Sequence, residues 1–282
     1  ALPISKLLLR YTIGRCNPPH EGHIQLFIKN IEDAREAKKA DPSLMTKVIF
    51  FLGSGPNGGI QTSKDPLDFD TKKEVIEYLL RIRGYIPYQP DGSGDYEIRQ
   101  KDYRDNGQFV TPTLQLASEV SRLGQEQEFT EIQSQLVVGD KDGDATKLKY
   151  MLDSFNKSVN QKFPEITVAS EIIAIEPIQS GTVTLSATEI REIAWASKTL
   201  EDFNARTNNY YGEKSKKVYD GINKYKPNGE SPVVKATAFK VNPRIVSKLS
   251  RRGGRSHTRG TRRKRRSHKK RRYKKTHKRK YN

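Results

Sequence analysis

The sequence feature that most constrains the fold is a strand, a turn and a helix in immediate succession near the start of the chain. Leu7 to Ile13 is apolar and rich in β-branched and aromatic residues, which predicts a buried strand. Gly14 ends this run, two consecutive prolines impose an extended turn, and helical spacing of apolar residues begins at Gly22. His20 and His23 are therefore expected at a helix N-terminus, where unpaired N–H groups attract anions.

A second apolar run, Lys47 to Leu52, follows the first helix and predicts a second buried strand. Strand, helix and strand in about 45 residues are typical of a parallel sheet with right-handed crossovers. We therefore expect an α/β fold with a parallel sheet of about five strands. The other predicted strands are Tyr96–Arg99, Leu136–Asp140 and Ile166–Ile175, and the later helices are 111–125, 147–155 and 200–225.

Two local features surround the second strand. The glycine-rich segment 53–59 is not a P-loop, because no Gly-Lys-Ser/Thr follows it. Parallel sheets bind ligands beyond the carboxyl ends of their strands, so this segment is expected to share a crevice with the histidines. Whether it lines a nucleotide or only turns the chain is open. Thr71 and Glu74 predict a capping box at the start of the next helix.

The second candidate anchor is the segment Thr184 to Arg191, which reads TLSATEIR and follows the fifth predicted strand. Ser186 or Thr188 is a suitable N-cap, and Arg191 lies one helical turn later. Hydroxyls, free amides and one guanidinium converge on an anion in such an arrangement. Alone, the segment is more often an ordinary cap beside a surface arginine. Because this segment follows the histidine segment, the two together are a more specific signal than either segment alone.

These two anchors resemble a known pair of motifs. Residues 14–23, GRCNPPHEGH, resemble the G-R-F-x-P-x-H-x-G-H signature of the nucleotidylyltransferase superfamily, with Cys16 in place of the usual aromatic. The segment LSATEIR resembles the I-S-x-T-x-I-R motif of the same superfamily. The resemblance covers Leu7 to about Trp195. It implies a Rossmann-like doubly wound sheet and an enzyme that transfers a nucleotidyl group from a nucleoside triphosphate and releases pyrophosphate.

The resemblance also implies roles for individual residues. The expected catalytic residues are His20, His23, Arg15 and Arg191. The expected nucleotide-binding residues are Gly14, Gly22, Gly139, Asp140, Ser186 and Thr188, with Gly139 and Asp140 near the base and ribose. ATP is then a substrate, and Mg²⁺ bridges its phosphate oxygens while keeping most of its waters. No protein metal site is predicted, since the acidic run that begins at Asp140 lacks the glycine and glutamate of a calcium loop.

The acceptor expected from the resemblance is nicotinamide mononucleotide, which would give NAD. Residues 102–106, DYRDN, resemble a segment after the third strand of nicotinamide mononucleotide adenylyltransferases, and residues 138–142, VGDKD, resemble their Val-Gly-x-x-Lys-Asp run. A cytidylyltransferase that acts on a phosphorylated alcohol or sugar is the alternative. A third hypothesis is a non-catalytic protein that retains the fold and acts through its basic tail.

The net charge of +19 is confined to the end of the chain. Residues 248–282 contain 19 of the 52 Lys and Arg and no acid, so 33 basic residues balance 33 acidic ones before them. We predict a catalytic domain at 1–226, a linker at 227–247 and a disordered polybasic tail at 248–282. The tail is expected to bind nucleic acid without sequence preference. A nuclear address is the alternative, and similar tails end many proteins of large double-stranded DNA viruses, which suggests virion association.

Cysteine usage and hydropathy bear on the compartment. Cys16 is the one cysteine, so no intramolecular disulfide forms, which fits a reducing compartment. Its neighbour Arg15 could lower the pKa of the thiol, but simple packing of the side chain is favoured. No apolar run approaches the ~18 residues of a membrane helix, and no leader pattern opens the sequence. We expect a soluble intracellular protein without a membrane partner.

Overall fold

The computed structural model describes residues 6–53, 61–101, 103–105, 108–126, 129–139, 144–175 and 185–227. All of them belong to one compact unit, Ala1–Gly229. The predicted tail, most of the predicted linker and most of the glycine-rich segment lie outside the described residues. Within those ranges, no helix is long and apolar enough to cross a membrane.

The secondary structure alternates between strands and helices, as the sequence pattern predicts. The strands are β1 (Lys6–Gly14), β2 (Met45–Leu52), β3 (Glu97–Gln100), β4 (Tyr103–Asp105), β5 (Gln108–Val110), β6 (Glu131–Gly139) and β7 (Thr167–Ile175). The helices are α1 (Glu21–Ala40), α2 (Phe69–Arg81), α3 (Pro112–Glu126), α4 (Asp144–Lys162), α5 (Ala187–Ala196), α6 (Leu200–Arg206) and α7 (Ser215–Asn223), with a 3₁₀ turn at Gly212–Lys214.

Five strands form one parallel sheet in the order β3-β2-β1-β6-β7. In register, Gly14 at the end of β1 lies beside Leu52 of β2, while Tyr11 lies beside Leu136 of β6. The chain builds outward from β1 first to β3 and later, through β6, to β7. This order confirms the Rossmann-like doubly wound sheet. The order reverses between β1 and β6, and ligands in such folds bind in the crevice beyond the carboxyl ends of the strands at this switch point.

A separate hydrophobic core covers each face of the sheet. Alternate residues of β2 point to opposite faces, because side chains along a strand have a period of two. Val48 and Phe50 pack with α1, α2 and the C-terminal helices, whereas Ile49 and Phe51 pack with α3 and α4. This packing fixes the ends of the strands. The loop between β1 and α1, residues 15–20 and called the histidine loop below, and the start of α5 lie above these strand ends.

Three local expectations differ from the structure. The predicted Thr71–Glu74 capping box is wrong, because α2 begins earlier and Asp68 is its N-cap, accepting from the Thr71 N–H at 2.7 Å. A carboxylate at the cap also interacts favourably with the helix dipole. Segment 200–225 is divided between α6, a 3₁₀ turn and α7. Finally, β4 and β5 form an antiparallel pair that the sequence pattern did not predict.

Candidate active site

The loop between β1 and α1 places the two histidines at the first turn of the helix. His20 is the N-cap, and its Nδ1 accepts a hydrogen bond from the Gly22 N–H at 3.1 Å. His23 reaches back, and its Nδ1 accepts from the His20 N–H at 3.3 Å. The two ring centroids are 3.8 Å apart. The pair therefore caps the helix reciprocally, with imidazoles in the roles that Ser and Glu usually have.

This capping determines which ring nitrogen carries the proton. A nitrogen that accepts a hydrogen bond carries no proton, so in the neutral state both rings carry it on Nε2. Both imidazoles are thus oriented as donors. Gly22 permits the arrangement, since a Cβ there would lie 3.1 Å from Cε1 of His20.

Arg191 connects the second predicted anchor to the first. Its Nη1 donates to the backbone carbonyl of Asn17 at 2.6 Å, and its Nη2 donates to Thr188 Oγ1 at 3.0 Å. The start of α5 is thereby tied to the histidine loop across 174 residues of sequence. Glu189 in the first turn of α5 also lies close enough to His20 for that ring to help hold the pKa of the carboxyl below its usual range, after the larger effect of hydrogen bonds from Ser186.

Positive charge accumulates where the two anchors meet. Burial lowers the pKa of Arg191, and the neighbouring guanidinium of Arg15 lowers it further. Among the described residues, neither arginine forms an ion pair within 4 Å. The Asp65 and Glu192 carboxylates partly offset this lowering of the pKa of Arg191. Two neighbouring like charges favour binding of an anion.

The hydroxyl groups at the start of α5 are already oriented by the protein. Ser186 is the N-cap, its Oγ accepts from the Glu189 N–H at 3.2 Å, and its own N–H donates to Glu189 Oε2 at 2.6 Å. Thr188 Oγ1 accepts from Arg191. A hydroxyl that accepts a hydrogen bond from the protein can still donate its own proton to a ligand oxygen.

A buried polar network beneath the loop was not predicted from the sequence. The Asn17 amide donates to Asp65 Oδ1 and to the Leu67 carbonyl, and its Oδ1 accepts from the Leu67 N–H at 3.0 Å. Asp65 also lies 3.4 Å from Lys72 Nζ, which donates to the carbonyl of Gly53. All three polar side chains in this network, those of Asn17, Asp65 and Lys72, are buried. Their signal in the sequence is weak, because a lysine on an amphipathic helix usually faces solvent.

Cys16 has a packing role, as predicted from the sequence. Its side chain is buried in the core that includes α1 and α2. Burial raises the pKa of the thiol to about 12, so it is not activated by Arg15. Its φ of +46° lies in the left-handed region, and its Sγ would be 3.3 Å from a Cβ at Gly14. The glycine thus allows the tight exit from β1.

The remaining predicted ligand-binding positions lie at the end of β6. Among the described residues, no atom lies within 4 Å of a Cβ added at Gly139. Asp140 lies outside the described residues, as do 54–60. Of the predicted site residues, the described structure therefore brings His20, His23, Arg15, Arg191, Ser186 and Thr188 together. It places Gly14 at the end of β1, Gly22 in the first turn of α1 and Gly139 at the end of the neighbouring strand β6.

Behind His20, the loop is supported by the segment 200–223, which comprises α6, the 3₁₀ turn and α7 and is called the C-terminal helical segment here. The buried Tyr211 hydroxyl donates to the Pro19 carbonyl at 2.7 Å. A cavity of about 470 Å³ lies between this segment and the starts of α1 and α5, and Arg83 closes one side by its 2.7 Å ion pair with Glu21. In the described ranges, no group of three or more His, Cys, Asp or Glu side chains is suited to hold a metal ion.

Comparisons with known proteins give a weak structural similarity. No protein-family model and no curated protein matches the sequence. Among solved structures, Thermotoga maritima TmcAL bound with alpha-thio ATP is similar at 13% identity and a TM-score of 0.34. The match covers 75% of this chain and 54% of that one, so the chain spans about half of that protein. At this distance no residue or ligand is carried over.

Proposed function

We propose that this protein is a nucleotidylyltransferase that transfers AMP from ATP to the phosphate of a mononucleotide and releases pyrophosphate. One observation supports this most strongly: Arg191 of the second anchor binds the carbonyl of Asn17 in the first. That bond brings two helix starts, two imidazole donors and two guanidinium groups to one edge of the sheet. A polyphosphate is the ligand that such a concentration of donors and positive charge suits.

In the proposed reaction, an oxygen of the acceptor phosphate attacks the α-phosphorus of ATP in line. The bond from the α-phosphorus to the bridging oxygen breaks, and pyrophosphate leaves with that electron pair. The chemistry asks the protein mainly to position the reactants and to stabilise charge. His20 and His23 donate from Nε2 to phosphate oxygens, while Arg15 and Arg191 neutralise the charge that develops on pyrophosphate. Ser186 and Thr188 donate their hydroxyl protons to the β- and γ-phosphates.

Magnesium enters this proposal with the nucleotide. The donor set at the two anchors consists of imidazoles, hydroxyls and guanidinium groups, which suit phosphate oxygens better than a hard cation. Mg²⁺ is therefore assigned to the triphosphate as its counterion, where it keeps several waters.

The acceptor follows from the sequence resemblance. Nicotinamide mononucleotide is the proposed acceptor, and a phosphorylated alcohol or sugar with CTP as donor is the alternative. Both reactions use the same polyphosphate site. They differ in the nucleotide base and in the acceptor, so the residues that contact those two groups decide between them.

The test is pyrophosphate release by the full chain with ATP or CTP, Mg²⁺ and a panel of phosphorylated acceptors. We expect release with ATP and nicotinamide mononucleotide, and NAD as the second product. Replacing His23 with alanine should lower kcat by about 10²-fold, since it removes one preorganised donor to the transition state. Release only with CTP would support the alternative. No release with any pair, from a protein that also fails to bind ATP, would contradict the proposal.

A further inference from the structure

The fully buried lysine beneath the candidate site needs a physical explanation. Lys72 has no exposed surface, and its ammonium group donates to the Gly53 carbonyl at the end of β2. Burial lowers the pKa of this ammonium, while Asp65 opposes the shift. A buried ammonium is unfavourable unless it is paired, and the carboxylate at 3.4 Å supplies the pairing charge.

Asp65 is also close to the arginine of the candidate site. Its carboxylate is one of the charges that raise the pKa of Arg191 against the lowering effect of burial and Arg15. Asp65 itself is 4% exposed, so solvent screens its interactions weakly. One buried carboxylate thus faces two cations, and only one of them, Lys72, forms an ion pair with it in the described structure.

We propose that Lys72 is a positioning residue that retains Asp65 as its counterion, so that Asp65 does not neutralise Arg191 and the arginine can bind an incoming polyphosphate. The inference rests on the proposed function, because it concerns the same phosphate site. Without the ammonium group, we expect the Asp65 carboxylate to pair with the Arg191 guanidinium, whose pKa it already raises. An ion pair between them would draw Arg191 away from the Asn17 carbonyl and neutralise its charge.

The network also connects the lysine to the histidine loop through hydrogen bonds. Asp65 accepts from the Asn17 amide, and the backbone carbonyl of that same asparagine accepts from Arg191. Lys72 holds Asp65 from below and is itself anchored on Gly53, whose N–H donates to the Gly14 carbonyl at 2.9 Å. Two strand ends and the histidine loop are therefore connected through one buried ammonium group.

The test measures binding of inorganic tripolyphosphate to the full chain by titration calorimetry. Lys72→Met is expected to weaken binding by about tenfold or more, the scale of one lost charge-assisted hydrogen bond. Adding Asp65→Asn to that variant should restore most of the affinity, because the buried carboxylate that would capture Arg191 is then gone. The matched control is Lys73→Met, at the partly exposed neighbour on α2 whose Nζ lies 3.9 Å from Glu77 Oε1. This variant should bind tripolyphosphate as the wild type does.

The double variant separates this role from simple support of the fold. If Lys72 only stabilises the structure, the Lys72→Met/Asp65→Asn protein binds no better than Lys72→Met, which would overturn the proposal. Wild-type affinity in a folded Lys72→Met protein would overturn it as well. Lys72→Gln replaces the methionine variant if the latter does not fold. Failure of the wild-type chain to bind tripolyphosphate would instead contradict the proposed phosphate site itself.

Discussion

At the scale of single residues, the site depends on groups that cap helices and at the same time face a ligand. His20 and His23 accept backbone hydrogen bonds through Nδ1, which orients Nε2 as a donor. Ser186 and Thr188 accept from the protein in a similar way. The hydrogen bonds that cap the two helices therefore also orient the protein groups that donate to the ligand.

The Gly22→Ala variant tests the stability of the helix start and the placement of the His20 donor separately. Alanine suits a helix better than glycine by roughly 0.5–1 kcal/mol, so the free energy of unfolding should hold or rise. Its Cβ would lie 3.1 Å from the His20 ring, which must move, and kcat should fall by about tenfold because a donor is misplaced. Chemical denaturation and steady-state kinetics measure the two effects.

Gly124→Ala is the control for this comparison. Gly124 lies in α3, and a Cβ there would be 3.9 Å from Phe129, an ordinary contact. It should stabilise the protein and leave kcat unchanged. Unchanged kcat in Gly22→Ala as well would show that the glycine has no role in placing His20.

The residue types that face the ligand could be predicted from the sequence, whereas their support could not. Histidines and hydroxyls near predicted helix starts have a local signal, because a cap is defined by a few neighbouring residues. Lys72 and Asp65 have no such signal, since their burial depends on how α2 packs beneath a loop that is distant in sequence. Thr71 illustrates the limit, because a capping pattern was present there and the carboxylate of Asp68 capped the helix instead.

At the scale of elements, the sheet was predictable because its strands are apolar runs separated by amphipathic helices. The β4–β5 pair was not, since strands of three residues give no periodicity to read. The C-terminal helical segment has a function that its sequence pattern did not indicate. It contacts the histidine loop through the Tyr211 hydroxyl, which donates to the Pro19 carbonyl.

Tyr211→Phe tests this support. The change leaves a buried carbonyl without its donor, which should lower the free energy of unfolding by about 1–3 kcal/mol. Because this loop leads directly into the first turn of α1, where both histidines lie, KM for ATP should rise as well. Thermal melts and steady-state kinetics with ATP measure the two effects.

Tyr219→Phe is the matched control, since its hydroxyl donates to the Ser197 carbonyl at 3.0 Å, on a different segment. It should lower stability without raising KM. Equal KM effects in both variants would argue against a specific role of Tyr211 in supporting the histidine loop.

At the scale of the whole molecule, the chain combines a formally balanced body with a strongly basic end. Residues 248–282 carry the whole net charge of +19, and the candidate site lies within Ala1–Gly229. We therefore expect the two regions to act independently, the tail on nucleic acid through phosphate contacts and the body on nucleotides.

Deletion of residues 248–282 should abolish binding to duplex DNA, because the remaining sequence is formally neutral. Binding by the full chain should weaken steeply as salt rises, since neutralised phosphates release counterions. Pyrophosphate release should be the same with and without the tail. Fluorescence anisotropy with labelled duplexes of two unrelated sequences measures the first two effects. Full DNA affinity in the deleted chain would place nucleic-acid binding elsewhere.

The most direct test of the proposed site is a crystal structure of the full chain with Mg²⁺ and a non-hydrolysable ATP analogue. We expect phosphate oxygens at about 3 Å from Nε2 of His20 and His23 and from the Arg191 guanidinium. The bond from Arg191 to the Asn17 carbonyl should persist in the complex. Phosphates bound away from both helix starts, with the histidines and Arg191 unengaged, would contradict the proposed site.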